Sequence, residues 1–128
     1  MPDKHLSSQF DIELNNVSSR LMEMGGLVES QIQQAIYALS LFVVDVADQV
    51  IDTEKRVNAM EVEIDREISS IIARRQPTAN DLRLLMALSK ATANLERAGD
   101  EANKIARMVK SIASSGIYKS LPSSELRK

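Results

Sequence analysis

The sequence predicts an all-α domain, an antiparallel up-down-up bundle of three helices, and three observations lead there. Proline occurs only at positions 2, 77 and 122 and glycine only at 25, 26, 99 and 116, so long stretches carry no helix breaker. Apolar residues recur in steps of three and four along three segments, and no segment alternates as a strand does. Leu, Ile, Val and Phe make up 35 of the 128 residues, enough to give one domain of this length a core.

In the first segment Phe10, Leu14, Val17, Leu21, Met24, Val28, Ile32, Ala35 and Leu39 form one stripe, which predicts a helix over 8–39. Gly25 and Gly26 sit inside it and together cost about 2 kcal/mol of helix propensity. A kink or a close approach by another helix would account for them. The second stripe is Val43, Ala47, Val50, Glu54, Val57, Glu61, Ile64, Ile68 and Ile71, a helix over 45–75. From Ala35 to Ala47 the steps run four at a time, which slips the phase. A turn is therefore placed at 40–45 with Asp45 as its cap, in spite of the apolar run Leu41-Phe42-Val43-Val44.

The next boundary is sharper. Arg74 and Arg75 suit a helix C-terminus, Gln76-Pro77 cannot extend it, and Thr78 to Asp81 offer N-caps. The third helix, 81–114, carries Leu84, Leu88, Ala91, Leu95, Ala98, Ala102, Ile105, Val109 and Ile112, and Ser114-Ser115-Gly116 stops it. Residues 1–7 read as an N-terminal tail and 115–128 as a linker.

Composition excludes several kinds of function. Sixteen basic and eighteen acidic residues leave a net charge of −2, and with no Trp and only two Phe and two Tyr the chain lacks the stacking platforms of nucleic-acid modules. The absence of cysteine removes disulfide frameworks, thiolate zinc sites and thiol nucleophiles. No apolar run reaches the ~20 residues of a membrane span, and the first ten residues lack a signal core. The expectation is a cytoplasmic protein with no nucleic-acid partner and no inserted segment, peripheral membrane association remaining open. His5 is a lone histidine in the tail, so the Glu-x-x-His pairs of ferritin-like oxidases are missing.

The acids carry the chemistry. Glu54 and Glu61 occupy the core-facing stripe of the second helix, with Asp65 one turn beyond. On the third helix Ser89, Thr92, Glu96, Asp100 and Asn103 form a polar stripe beside the apolar one. The i,i+4 spacing of Glu61/Asp65 and Glu96/Asp100 says little, since Asp48/Asp52 and Glu63/Glu67 share it. Their location says more, because a carboxylate placed against a core costs several kcal/mol unless it is paired or bound to a cation. A hairpin folded between residues 78 and 79 would set Glu61 against Glu96 and Glu54 against Asn103, with Asp100 between the two glutamates. Such an all-oxygen group suits Mg, Mn, Ca or Fe. The alternative is that these acids pair with Lys55, Arg97, Lys104 or Arg107 on a partly solvated face.

The runs Arg74-Arg75-Gln76-Pro77-Thr78-Ala79-Asn80-Asp81-Leu82-Arg83 and Leu95-Glu96-Arg97-Ala98-Gly99-Asp100 strongly resemble the PhoU family. So do Met24-Gly25-Gly26-Leu27-Val28-Glu29 and Met60-Glu61-Val62-Glu63-Ile64-Asp65, and the likeness extends from about residue 5 to 113. The resemblance implies one three-helix repeat, the first of two, with Ile117 to Lys128 the linker and start of a missing second repeat. It implies metal binding by an E(D)-x-x-x-D motif at Glu61, Asp65, Glu96 and Asp100. Glu54 stands where the family usually has Asp, Asn103 where many members have Asp, and the Leu41 to Val44 run is more apolar than the family's turn. The implied role is regulatory: contact with the ATPase of a phosphate ABC transporter and with a sensor histidine kinase, holding the phosphate-starvation response off.

The leading expectation is thus a non-catalytic, metal-binding adaptor that self-associates as a homo-oligomer, by itself too short to repress starvation signalling. Two rivals are a carboxylate-bridged metal enzyme and a plain helical interaction module whose acids set helix register. Metal content separates the module from the leader, and turnover against phosphate esters or oxygen tests the enzyme.

Overall fold

A computed structural model describes residues 2–115, with side chains from Ser8 onward. It contains three helices and, among the described residues, no strand: α1 (Pro2–Leu41), α2 (Val44–Arg75) and α3 (Ala79–Ser114). They run up, down and up, as the three apolar stripes predict. α1 begins at Pro2, ahead of the expected boundary at residue 8, with proline at a helix start, where its missing N–H costs nothing. The His5 side chain and residues 116–128, which include most of the expected linker, lie outside the described residues.

Both connections are tight. Phe42 takes a left-handed conformation (φ 54°), and the Val43 N–H donates to the Ala38 carbonyl at 3.2 Å. Val43 is the N-cap of α2 and makes no side-chain cap bond. Asp45 therefore lies in the first turn of α2 rather than capping it, where its charge still favours the helix dipole. At the far end Gln76 is left-handed (φ 47°) and its N–H donates to the Ile72 carbonyl at 3.3 Å. Thr78 caps α3, its hydroxyl accepting from the Asp81 N–H at 3.3 Å.

The core has two parts. Around the α2–α3 turn and the middle of the bundle it is built from large side chains: Phe10, Val17, Met24 and Val28 of α1, Val57, Met60, Ile64, Ile68 and Ile71 of α2, and Leu85 of α3. Towards the α1–α2 turn it narrows to Ala35, Ala38, Ala47, Val50, Ala102, Ala106 and Val109. Small side chains there let the three backbones approach closely.

That narrowing corrects two stripes. On α1 the core face continues from Val28 through Gln31, Ala35 and Ala38, leaving the expected Ile32 and Leu39 exposed. On α3 the buried line is Leu85, Thr92, Gly99, Ala102, Asn103, Ala106 and Val109, while Leu84 faces out. α3 packs against both neighbours, so its core face lies between the apolar and polar stripes and draws Thr92 and Asn103 inside. The α2 stripe holds as predicted, with Met60 buried and Glu61 beside it half-buried.

Candidate functional site

α2 and α3 lie antiparallel, and two contacts mark their register: Asp48 pairs with Lys110 at 2.7 Å, and the Ser89 hydroxyl lies 3.5 Å from Asp65 Oδ1. Between these contacts the acids of the two helices meet. Glu54 is only 6% exposed, a charged group on the inner face of α2. Its Oε2 accepts from Gln31 Nε2 at 3.0 Å, and the same Gln31 nitrogen donates to the Val50 carbonyl at 3.2 Å. Asn58, with its amide nitrogen turned towards the acids, donates to Glu54 Oε1 at 3.1 Å and to Glu96 Oε1 at 3.3 Å. In the opposite orientation its carbonyl would face only acceptors.

The electrostatics are repulsive. Burial raises the Glu54 carboxyl above the ordinary carboxylate range, the Gln31 hydrogen bond opposes that, and the charges of Glu96, Asp100 and Glu61 add to it. Glu61 is raised by burial, then by Glu96 and Asp65. Among the described residues no Lys or Arg pairs with Glu54, Glu61, Asp65 or Glu96, so the salt-bridged alternative does not describe these four. It does describe Asp100, which pairs with Lys104 at 3.5 Å on an exposed face.

As the hairpin reasoning expects, Glu54 lies in the field of Glu96, Asp100 and Glu61, and Glu61 in that of Glu96. Asp65 is coupled to Glu61 and otherwise turns towards Ser89. Asn103 is buried one turn beyond Gly99, and its Oδ1 and the Oε1 of Gln31 are buried oxygens without a hydrogen-bond partner. As chemistry, carboxylates and amide carbonyls suit a hard cation. As geometry they do not form a ready cage, since among the described residues no three acidic side chains converge to hold one.

Three contributors escape sequence reasoning. Gln31 belongs to α1 and enters only because the core face of that helix passes through it rather than Ile32. Asn58 was hidden as an exposed polar residue, although it lies one turn after Glu54 and one before Glu61, where its amide bridges acids on two helices. Gly99 faces Gln31 and Glu54 and makes room for both. The arginines at the end of α2 are tied to α1: Arg75 Nε donates to Glu13 Oε1 at 2.7 Å, and Arg74 bonds the other oxygen.

These features define the class: a three-helix bundle whose last two helices hold between them an acidic seam in which Glu54, Glu61 and Glu96 have no cationic partner among the described residues. The PhoU domain family matches residues 21–109, and the chain belongs to the PhoU family. It is 50% identical over 116 residues, 91% of its length, to a phosphate-specific transport system accessory protein PhoU homolog of a Burkholderia species, covering 49% of that protein. It is 51% identical over 105 residues to the accessory protein PhoU of Escherichia coli K12, covering 82% of this chain and 44% of the relative. The crystal structure of PhoU from Pseudomonas aeruginosa superposes with a TM-score of 0.81 at 43% identity, over 92% of this chain and 56% of that one. The chain spans about half the length of these relatives. Among the described residues, no helix is long and apolar enough to cross a membrane.

Proposed function

We propose that this chain is the bundle of a non-catalytic regulator of phosphate uptake, acting in the cytoplasm on a phosphate ABC transporter ATPase and a sensor histidine kinase to keep the starvation response off. The observation that carries this reading is half identity, over nine-tenths of the chain, to a protein named as a phosphate-specific transport accessory factor. The test is to join residues 1–128 to the remaining half of that Burkholderia relative and express the chimera in a strain lacking its own accessory protein. Starvation-reporter output in high phosphate should fall to the repressed level, while residues 1–128 alone leave it high. A folded chimera that never represses would sink the reading, and full repression by residues 1–128 alone would show that one bundle suffices.

We further propose that Glu54, Glu61, Asp65, Glu96 and Asp100 supply oxygen ligands to a hard cation, Mg, Mn, Fe or Ca. Support comes from the charge of Glu54, Glu61 and Glu96, which no Lys or Arg pairs among the described residues, and from the orphaned carbonyl oxygens of Gln31 and Asn103. Because the side chains do not converge as they stand, binding requires carboxylates to rotate inwards. Elemental analysis of protein purified without chelators or metal-affinity columns tests this.

A second reading is favoured by Asn58 and Gln31, which satisfy both Glu54 oxygens without any cation. On that reading the seam fixes helix register in a plain interaction module. Protein that stays metal-free after exposure to each candidate ion would establish it.

A further inference from the structure

α1 and α3 run in the same direction, so the α1–α2 turn and the C-terminus of α3 share one end of the bundle. That end is apolar. No charged residue falls from Ser30 to Val44, and the turn itself is Leu41-Phe42-Val43-Val44. Phe42 packs against the small-residue core that includes Val109, in a left-handed conformation (φ 54°) that an aromatic residue adopts only at a cost. Leu41 stays 45% exposed, and Val43, Val44 and Ile112 are half-buried. Large apolar side chains held at the end of a bundle, over a core that tapers to alanine, leave area for a further segment to cover.

The chain that leaves α3 has the pattern to cover it. Ser115 is the C-cap of α3, which makes Gly116 the first residue beyond the cap and Ile117 the second. Glycine in that first position commonly reverses the chain, and the apolar residue after it packs back on the helix at the third residue before the cap, here Ile112. Tyr118 then stands three residues past the cap, a reach of about 10 Å, which is the spacing of packed helices. Lys119 is the only charge between Lys110 and Glu125. Asp45, exposed in the first turn of α2, forms no ion pair among the described residues.

We infer that the segment Gly116 to Leu121 folds back across this end of the bundle as a clasp, with Ile117 seated on Ile112, the Tyr118 ring over Phe42 and Val43, and Lys119 beside Asp45. The clasp joins α3 to the α1–α2 turn where the core side chains are smallest and where α2 begins without a side-chain cap. The segment is favoured over any untethered occupant because its attachment to α3 holds it at an effective concentration on the order of millimolar. Docked in this way, it sets the direction in which the chain leaves the bundle. The inference rests on neither the phosphate role nor the cation.

The chain has two tyrosines and no tryptophan, so Tyr37→Phe leaves Tyr118 as the single emitter of residues 1–128. Iodide should quench Tyr118 at least threefold less than it quenches a free tyrosine amide, at 1 μM and at 100 μM protein alike. Trypsin cleavage after Lys119, read by mass spectrometry, should run at least tenfold faster in Ile117→Ser and in Gly116→Val, with helix content unchanged. Tyr118→Phe should keep the parent's rate. Asp45→Asn should speed cleavage about twofold in 50 mM NaCl and not in 500 mM, where the pair is screened. Quenching equal to that of the free amide overturns the inference, and so does a cleavage rate that neither Ile117→Ser nor Gly116→Val alters. Protection seen at 100 μM and lost at 1 μM assigns this end to a second copy and overturns it as well.

Discussion

The Oε1 atom of Gln31 lies 2.7 Å from the point where a Cβ on Gly99 would sit, so any side chain at residue 99 would have to displace that amide. The same amide donates to Glu54 and to the Val50 carbonyl, so one residue of α1 ties down the buried acid of α2 and occupies the space opposite α3. The seam between α2 and α3 is therefore set from a third helix.

Gly99→Ala should push the Gln31 amide off both of its acceptors and cost about 1–3 kcal/mol, as overpacking does in tight interiors. Gly26→Ala meets open space and should stabilise the helix by about 0.5–1 kcal/mol. Urea denaturation of the two variants beside the parent, at a concentration where all are monomeric, reads both signs. Equal effects would mean that Gly99 is not packed as described.

Glu54 and Glu61 hold raised carboxyl pKa values in the folded chain. A raised acid stabilises the fold fully below its unfolded value, near 4.3, and that contribution is lost as pH rises through the folded value. Glu54→Gln keeps an acceptor for Gln31 and removes the charge, so at pH 7 it should gain on the order of 1 kcal/mol over the parent. The gain should shrink as the pH is lowered towards 4. Denaturation midpoints at pH 4, 5, 6 and 7 test this, and a gap that widens on acidification would reverse the assignment.

Glu13 behaves in the opposite sense. Burial pushes its carboxyl up, but hydrogen bonds from Arg75 and Arg74 and their charges outweigh burial and hold it below the ordinary range. Its contribution is present above the unfolded value and lost as pH falls through the lower folded one. Glu13→Gln should cost about 1 kcal/mol at pH 7, since it loosens two arginines from one half-buried partner. The cost should shrink as the pH falls below the ordinary carboxylate range and through the lowered folded value. Thermal melts at pH 7 and pH 3 measure it.

If the acidic seam binds a cation, Glu96→Gln and Asp100→Asn should each weaken Mn²⁺ binding by about tenfold or more, the scale seen even for outer-shell partners of metals. Without metal, Glu96→Gln should leave stability equal or higher, because it relieves repulsion towards Glu54 and Glu61. Calorimetric titration paired with apo melts separates ligand from structural acid: unchanged affinity together with a large loss of apo stability marks the acids as structural.

By itself the sequence determined the three helices, their antiparallel order and the α2–α3 turn, because apolar period, Pro77 and the Thr78 cap are local properties of the chain. It also determined that Glu54 and Glu61 of α2 would meet Glu96 of α3, because a hairpin between two straight helices leaves one free parameter, the turn. Only the tertiary structure decided how α1 and α3 are rotated about their own axes. Rotation depends on how closely three backbones approach, and the alanines that allow the approach look the same in sequence whether they face inwards or out. That rotation brought Gln31 rather than Ile32 into the core, drew Thr92 and Asn103 inside, and left Ile36 and Tyr37 of α1 in the open.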